Sequence, residues 1–127
     1  MQIKPGMEAR FEAMSRDLYA RSHANEPGLL RYEYWRGQTP QMYYALLSFV
    51  DYESFLIHQA SDHHSELTAG IKDMVDSLRL EFVDPVPGAA PLPTNTSVAL
   101  TQPTAPLIEY YADRYPYLEA SWWPKLR

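Results

Sequence analysis

Three of the chain's four histidines fall within seven residues, at His58, His63 and His64. Imidazole changes charge near neutral pH, so this segment is where proton chemistry would be carried. His58 follows Phe55 by three residues and shares its helix face, which makes it the first candidate for a general base, with His63 the second. Upstream lie candidate substrate contacts: Tyr32 and Tyr34 in one segment, Tyr43 and Tyr44 in the next, and Phe55 beside His58. Phenol rings stack on an aromatic ligand or hydrogen-bond its oxygens, and strand alternation lets only some of them face one pocket. The bland readings stand beside these. A histidine near a helix end also caps carbonyls, and aromatic strand residues also fill cores or interfaces. Glu26-Pro27-Gly28 reads as a structural stop, and Glu33 as a surface ion-pair partner of Arg31 or Arg36, a contact worth little.

No metal is assigned. His58 and His63 are five apart and His58 and His64 six, offsets that point to different faces of a continuous helix, unlike the four-residue spacing of a zinc helix. Only a bend at Ser61-Asp62, with Asp62 or Glu66 as a further ligand, would bring them together.

These groups must be positioned by a small soluble chain. It has 127 residues, enough for one domain with a real core, with 46% hydrophobic and 21% charged residues. The absence of cysteine excludes disulfides, thiolate metal sites and a catalytic thiol, and fits a reducing cytoplasm. A net charge of −5 argues against a nucleic-acid partner. No apolar run approaches the roughly 20 residues of a membrane span, and Met1 to Pro5 carries no apolar leader.

Pro5-Gly6 signals a turn, after which Met7 to His23 reads as a helix with Phe11, Met14, Leu18 and Ser22 on one face. Pro27 and Gly28 end it. Leu29 to Arg36 and Met42 to Phe49 read as strands joined by Gly37-Gln38-Thr39-Pro40, an antiparallel hairpin. The second is apolar on both sides, as for a strand covered on both faces. Asp51 is placed as an N-cap of a helix carrying Phe55 and His58. A second helical piece runs from His63 towards Met74, and Ser77 to Val83 is expected as the next strand.

This order predicts an α+β fold, a ferredoxin-like split βαβ sandwich with an antiparallel sheet and helices on one face. The other face, with Leu30, Tyr32, Tyr34, Tyr44 and Leu46, would be too apolar for water and would close against a second copy. The expected domains are residues 1–86, a proline-rich extended linker over 87–106, and an aromatic arm over 107–127 docking on its own or the partner subunit. Six of the eleven prolines lie in 85–106, whereas Tyr110, Tyr111, Tyr115, Tyr117, Trp122 and Trp123 are too aromatic for a disordered tail. The arm reads as an edge or seam cover, with a lid plugged by Trp122-Trp123 as the sharper alternative.

Glu26-Pro27-Gly28, Tyr32-Glu33, the aromatic strand Tyr43 to Phe49, Asp51, Phe55, His58, Ser61 and His63, in this order, resemble the antibiotic biosynthesis monooxygenase family, in particular its quinol monooxygenase-like branch. The resemblance runs from about Lys4 to Val86. It implies a dimeric α+β barrel with one pocket per subunit between sheet and helices. It also implies oxidation of phenolic or quinol-like aromatics by molecular oxygen without metal or flavin. Two departures stand out. The family's first strand is represented only by Gln2-Ile3-Lys4; it is clipped, begins upstream, or is replaced by the tail. The haem-degrading branch has tryptophan where His58 stands, a haem-ligating histidine where Thr68 stands, and a first-strand asparagine with no counterpart here, so haem degradation is not expected.

The expected function is therefore a cofactor-independent monooxygenase acting on a small aromatic and O2 as a cytoplasmic homodimer. Two alternatives stay open: an isomerase or lyase on the same barrel, using Arg31 or Arg36 for a carboxylate, and a non-catalytic binding or assembly module.

Overall fold

A turn at Pro5-Gly6, with Gly6 at φ 85° in the left-handed region that glycine tolerates, separates strand β1 (Gln2–Ile3) from helix α1 (Glu8–Asn25). The computed structural model describes residues 1–96, 100 and 105–126. The face anticipated for α1 is the one it buries: Phe11, Met14, Leu18 and Ser22, joined by Ser15. Strands β2 (Leu29–Arg36) and β3 (Tyr43–Phe49) form the expected antiparallel hairpin. Helix α2 (Tyr52–Ala60) begins at Asp51, whose side chain accepts the Ser54 N–H at 2.7 Å. Ser61 then caps helix α3 (Asp62–Thr68), and helix α4 (Ile71–Met74) leads into β4 (Val75–Ser77).

β1 pairs with β4, and an isolated antiparallel bridge from Gln2 to Met42 places β1 beside β3. Backbone bonds from Ile3 N–H to the Gln41 carbonyl and from Tyr43 N–H to the Met1 carbonyl, both 2.9 Å, secure this contact. The antiparallel order β4-β1-β3-β2 is that of the ferredoxin-like α+β sandwich. Ile3, Phe11, Met14, Tyr43 and Met74 form the core cluster between sheet and helices.

Two expectations are corrected. The last strand is Val75–Ser77, not Ser77 to Val83. A strand extends only as far as its partner, and β1 offers just Gln2, opposite Ser77, and Ile3, opposite Val75. The apolar face is also composed differently. Register pairs Trp35 with Tyr44 and Glu33 with Leu46, so these four share the outer face, while Tyr32 and Tyr34 turn inward to α2 and α1. Trp35, Tyr44 and Leu46 are 54%, 56% and 45% exposed in the single chain.

The chain divides into two units, Met1–Arg79 and Leu80–Arg127. The second contains helix α5 (Pro106–Arg114) and a 3-10 turn at Trp123–Lys125. Within it Trp123 is buried and the rings of Phe82 and Tyr117 lie 5.3 Å apart, so its last aromatic residues pack among themselves and on residues 80–82. Of the linker expected over 87–106, positions 97–99 and 101–104 lie outside the described residues. Asn95 folds back on this segment, donating its backbone N–H to Asp84 at 2.9 Å and its side-chain amide to the Val83 carbonyl.

Candidate active site

Helix α1 ends where Pro27 forbids another helical residue before it, and the Glu26 N–H makes the last bond, to the Ser22 carbonyl at 2.9 Å. The turn that follows is tight: a Cβ on Gly28 would lie 2.3 Å from Ser54 Oγ and 2.6 Å from Ser54 Cβ, so only glycine lets α2 approach. This geometry carries the Glu26 carboxylate into the interior, 8% exposed. There it meets two histidines. His58 Nδ1, on the last turn of α2, lies 3.0 and 2.9 Å from the two carboxylate oxygens. His63 Nε2, on the first turn of α3, lies 2.5 Å from Oε1.

The bend at Ser61 makes this convergence feasible. Ser61 Oγ donates to the His58 carbonyl at 2.9 Å, accepts the His64 N–H at 3.3 Å and lies 3.1 Å from His63 Nε2. The bend that the spacing alone could not assure does occur, and the carboxylate it serves is Glu26, not Asp62 or Glu66; Glu66 pairs with Arg21 at 2.9 Å. The ligand atoms of Glu26, His58 and His63 all lie within 4.8 Å of one another, a set able to hold a metal ion, and here they hydrogen-bond to each other directly. Hydrogen bonding also fixes the tautomers. An ionised carboxylate only accepts, so the proton sits on His58 Nδ1 and on His63 Nε2. His58 Nε2 is buried without a hydrogen-bond partner.

Burial would raise the Glu26 pKa, but the hydrogen bond and charge of His58, with the hydrogen bond of His63, overcome this and hold it below its ordinary value. His64, its ring 4.8 Å from that of His58, is lowered to about 4 by burial first and by the neighbouring His58 second, so it is neutral at physiological pH.

A groove of about 580 Å³ lies on the other side of Tyr32, between α1 and the edge strand β2. Phe11, Ser15, Tyr34, Trp35 and Tyr43 form its walls. Its charges are largely paired: Arg36 grips Glu12 through two nitrogens at 2.6 Å, the Tyr43 hydroxyl donates to Glu12 at 2.8 Å, and Arg16 lies 3.7 Å from the same carboxylate. Arg36 first, and Tyr43 with it, pull the Glu12 pKa down to about 2.

The sequence candidates therefore separate. Tyr34 and Tyr43 line the groove. Tyr32 is buried behind it, its hydroxyl 2.5 Å from that of Tyr34 and its ring edge-on to His58 at 5.1 Å. Tyr44 lies on the outer face. Phe55 packs on Phe49 and Tyr52 beside the histidine cluster. His58 and His63 come together, but neither lines the groove. Glu26 is the member that sequence reasoning assigned only to a turn. Its signal was a carboxylate that the Pro-Gly stop does not itself require.

A family model described as antibiotic biosynthesis monooxygenase matches residues 1–69, over half of the chain. No curated protein and no solved structure matches it significantly. Within the match lie α1, the β2–β3 hairpin, and the helices that bring Glu26, His58 and His63 together, and on this ground the chain belongs to the antibiotic biosynthesis monooxygenase family.

Proposed function

We propose that the chain is a cofactor-independent monooxygenase that oxidises a small phenol- or quinol-like aromatic with molecular oxygen, acting as a cytoplasmic homodimer. One observation carries this reading: a phenol-walled groove separated by a single buried tyrosine from a Glu–His–His cluster whose His58 Nε2 is buried with no hydrogen-bond partner.

The chemistry needs no further reactant. Loss of the phenol proton gives an electron-rich anion, which passes one electron to O2. The aryloxyl radical and superoxide combine at a ring carbon, and the resulting hydroperoxide loses water to leave a quinone. One phenol and one O2 thus become one quinone and one water. His58, oriented by Glu26 and packed behind Tyr32, is the proton acceptor, reached from the groove through the Tyr34–Tyr32 hydroxyl pair, each hydroxyl taking up one proton as it passes one on, and His63 shares the same carboxylate. Tyr34, Tyr43 and Phe11 supply the apolar aromatic surface that holds the ring and excludes water.

The test is oxygen uptake with a panel of hydroquinones and catechols. A positioned proton acceptor contributes about 10²–10⁴ in rate, so His58→Ala should fall by at least tenfold. Uptake no greater than that of His58→Ala across the panel overturns the reading. A second reading is an isomerase or lyase for a ring-derived acid, whose carboxylate would have to displace Glu12 from Arg36 in the groove. Turnover that survives under argon would select it.

A further inference from the structure

We propose that Tyr34, backed by Tyr32, is an oxyanion-binding donor that captures the phenolate or enolate form of a small aromatic in the groove between α1 and β2. The ligand class deepens the reaction proposed above and rests on it. The donor arrangement rests on geometry alone.

The two hydroxyls are 2.5 Å apart, and either could in principle donate. Burial settles the direction. The Tyr32 side chain is 3% exposed, and its hydroxyl must place its proton on an acceptor. The acceptor in reach is Tyr34 Oη. If Tyr34 donated inward instead, the Tyr32 proton would be stranded in the core. Tyr32 therefore donates to Tyr34, and the Tyr34 proton is directed away from the core, toward the groove that Tyr34 lines. Ser15 neighbours Tyr34 there, and its own proton is committed to the Phe11 carbonyl at 2.9 Å, so it can only accept. An incoming oxyanion is a stronger acceptor than a serine hydroxyl and takes that proton in its place.

The surroundings suit this role. Burial first, and for Tyr32 also the charges of Tyr34 and Glu26, raise both phenols, Tyr34 to about 12, so both keep the protons they donate. Accepting from Tyr32 makes the Tyr34 O–H a stronger donor in turn. Of the groove's other titratable groups, Glu12 and Glu33 offset Arg16 and Arg36, Tyr43 is committed to Glu12, and Tyr19 lies against the His23 ring. Arg31 and Trp35 hold Glu33, and Arg36 is held by Glu12 at 2.6 Å. Glu26, His58 and His63 lie behind Tyr32. The Tyr34 hydroxyl is therefore a groove donor not already bound to a carboxylate, and Arg16 and the half-exposed Tyr19 hydroxyl are its competitors for an anion.

The experiment uses p-nitrophenol, whose phenolate absorbs in the visible and whose phenol does not. It is titrated with intact protein under argon. Bound nitrophenol should ionise at a lower pH than the free compound, and Tyr34→Phe should abolish the shift and weaken binding about tenfold to hundredfold. Tyr34→Phe leaves the Tyr32 hydroxyl without its acceptor, so the double variant Tyr32→Phe/Tyr34→Phe, which removes both, serves as the second arm. It should show the same loss while remaining folded. Tyr32→Phe alone should reduce the shift without abolishing it, and Arg16→Gln should leave it in place. No shift in the wild-type protein, or a shift that survives Tyr34→Phe and vanishes in Arg16→Gln, overturns the proposal. A Tyr34-dependent shift with no oxygen uptake on any phenol sustains the oxyanion site while removing the oxygenase reading.

Discussion

Replacing Glu26 by glutamine keeps the shape of the buried side chain and removes its charge. In the wild-type protein both carboxylate oxygens are engaged by His58 Nδ1 at 3.0 and 2.9 Å, and Oε1 also receives His63 Nε2 at 2.5 Å. A glutamine retains one acceptor oxygen and presents an amide donor where the second stood, so one histidine N–H faces a donor. Losing a charge-assisted hydrogen bond costs about 1.5–3 kcal/mol, and an unsatisfied buried donor about 1–3 kcal/mol more. The expected loss for Glu26→Gln is about 3 kcal/mol at neutral pH, read from urea unfolding. The pH dependence gives an independent check. The folded-state pKa of Glu26 lies below its ordinary 4.5, so its contribution is fully present above 4.5 and is lost as pH falls through the lower folded value. The glutamine variant has no such group, so the gap between the two proteins should narrow on acidification below 4.5. A gap under about 0.5 kcal/mol at neutral pH, the size of an ordinary surface substitution, or a gap that widens in acid, would refute the view that this carboxylate organises the cluster.

Phe11 is fully buried, its ring 4.9 Å from that of Tyr43 and 6.0 Å from that of Tyr34, so Phe11→Ala should cost about 3–5 kcal/mol in thermal or chemical unfolding. A loss below about 1 kcal/mol would mean this part of the core is not close-packed. Gly28→Ala drives a methyl against Ser54 and should destabilise by about 1–3 kcal/mol, whereas a neutral result would show that α2 can retreat without disturbing His58. The outer face carrying Trp35, Tyr44 and Leu46 is the proposed seam between subunits, so Leu46→Asp should convert a dimer to a monomer in light scattering. A monomeric wild type, or a dimer indifferent to the substitution, would place the seam elsewhere.

Local rules carried the reading of the elements. The bounds of β2 coincide with those expected, the apolar face of α1 is the anticipated one, and Asp51 and Ser61 act as caps. Each depends on neighbours within a few residues: a 3.6-residue period, a pleat, or a hydroxyl or carboxylate three residues before an amide. What was misplaced depends on distant partners. The length of β4 is set by β1, some seventy residues away, and Val75 outcompetes Leu80 and Val83 because only it meets Ile3. The contacts of Glu26 span 32 and 37 residues, and in a Glu-Pro-Gly stop nothing local distinguishes a buried carboxylate from a solvated one. His58 was legible as a group able to do chemistry, but its place behind Tyr32 follows from how α2 packs on β2 and β3, with its ring against Tyr32 and Phe49.

The proposed reaction adds an oxygen atom from O2 to a phenolic ring held in the groove. Turnover under heavy-isotope oxygen gas, followed by mass spectrometry of the quinone, reads that step directly. One labelled oxygen per quinone is expected, with no hydrogen peroxide formed and with the labelled product falling at least tenfold in His58→Ala. An unlabelled quinone, or one formed at the same rate by the variant, would contradict it.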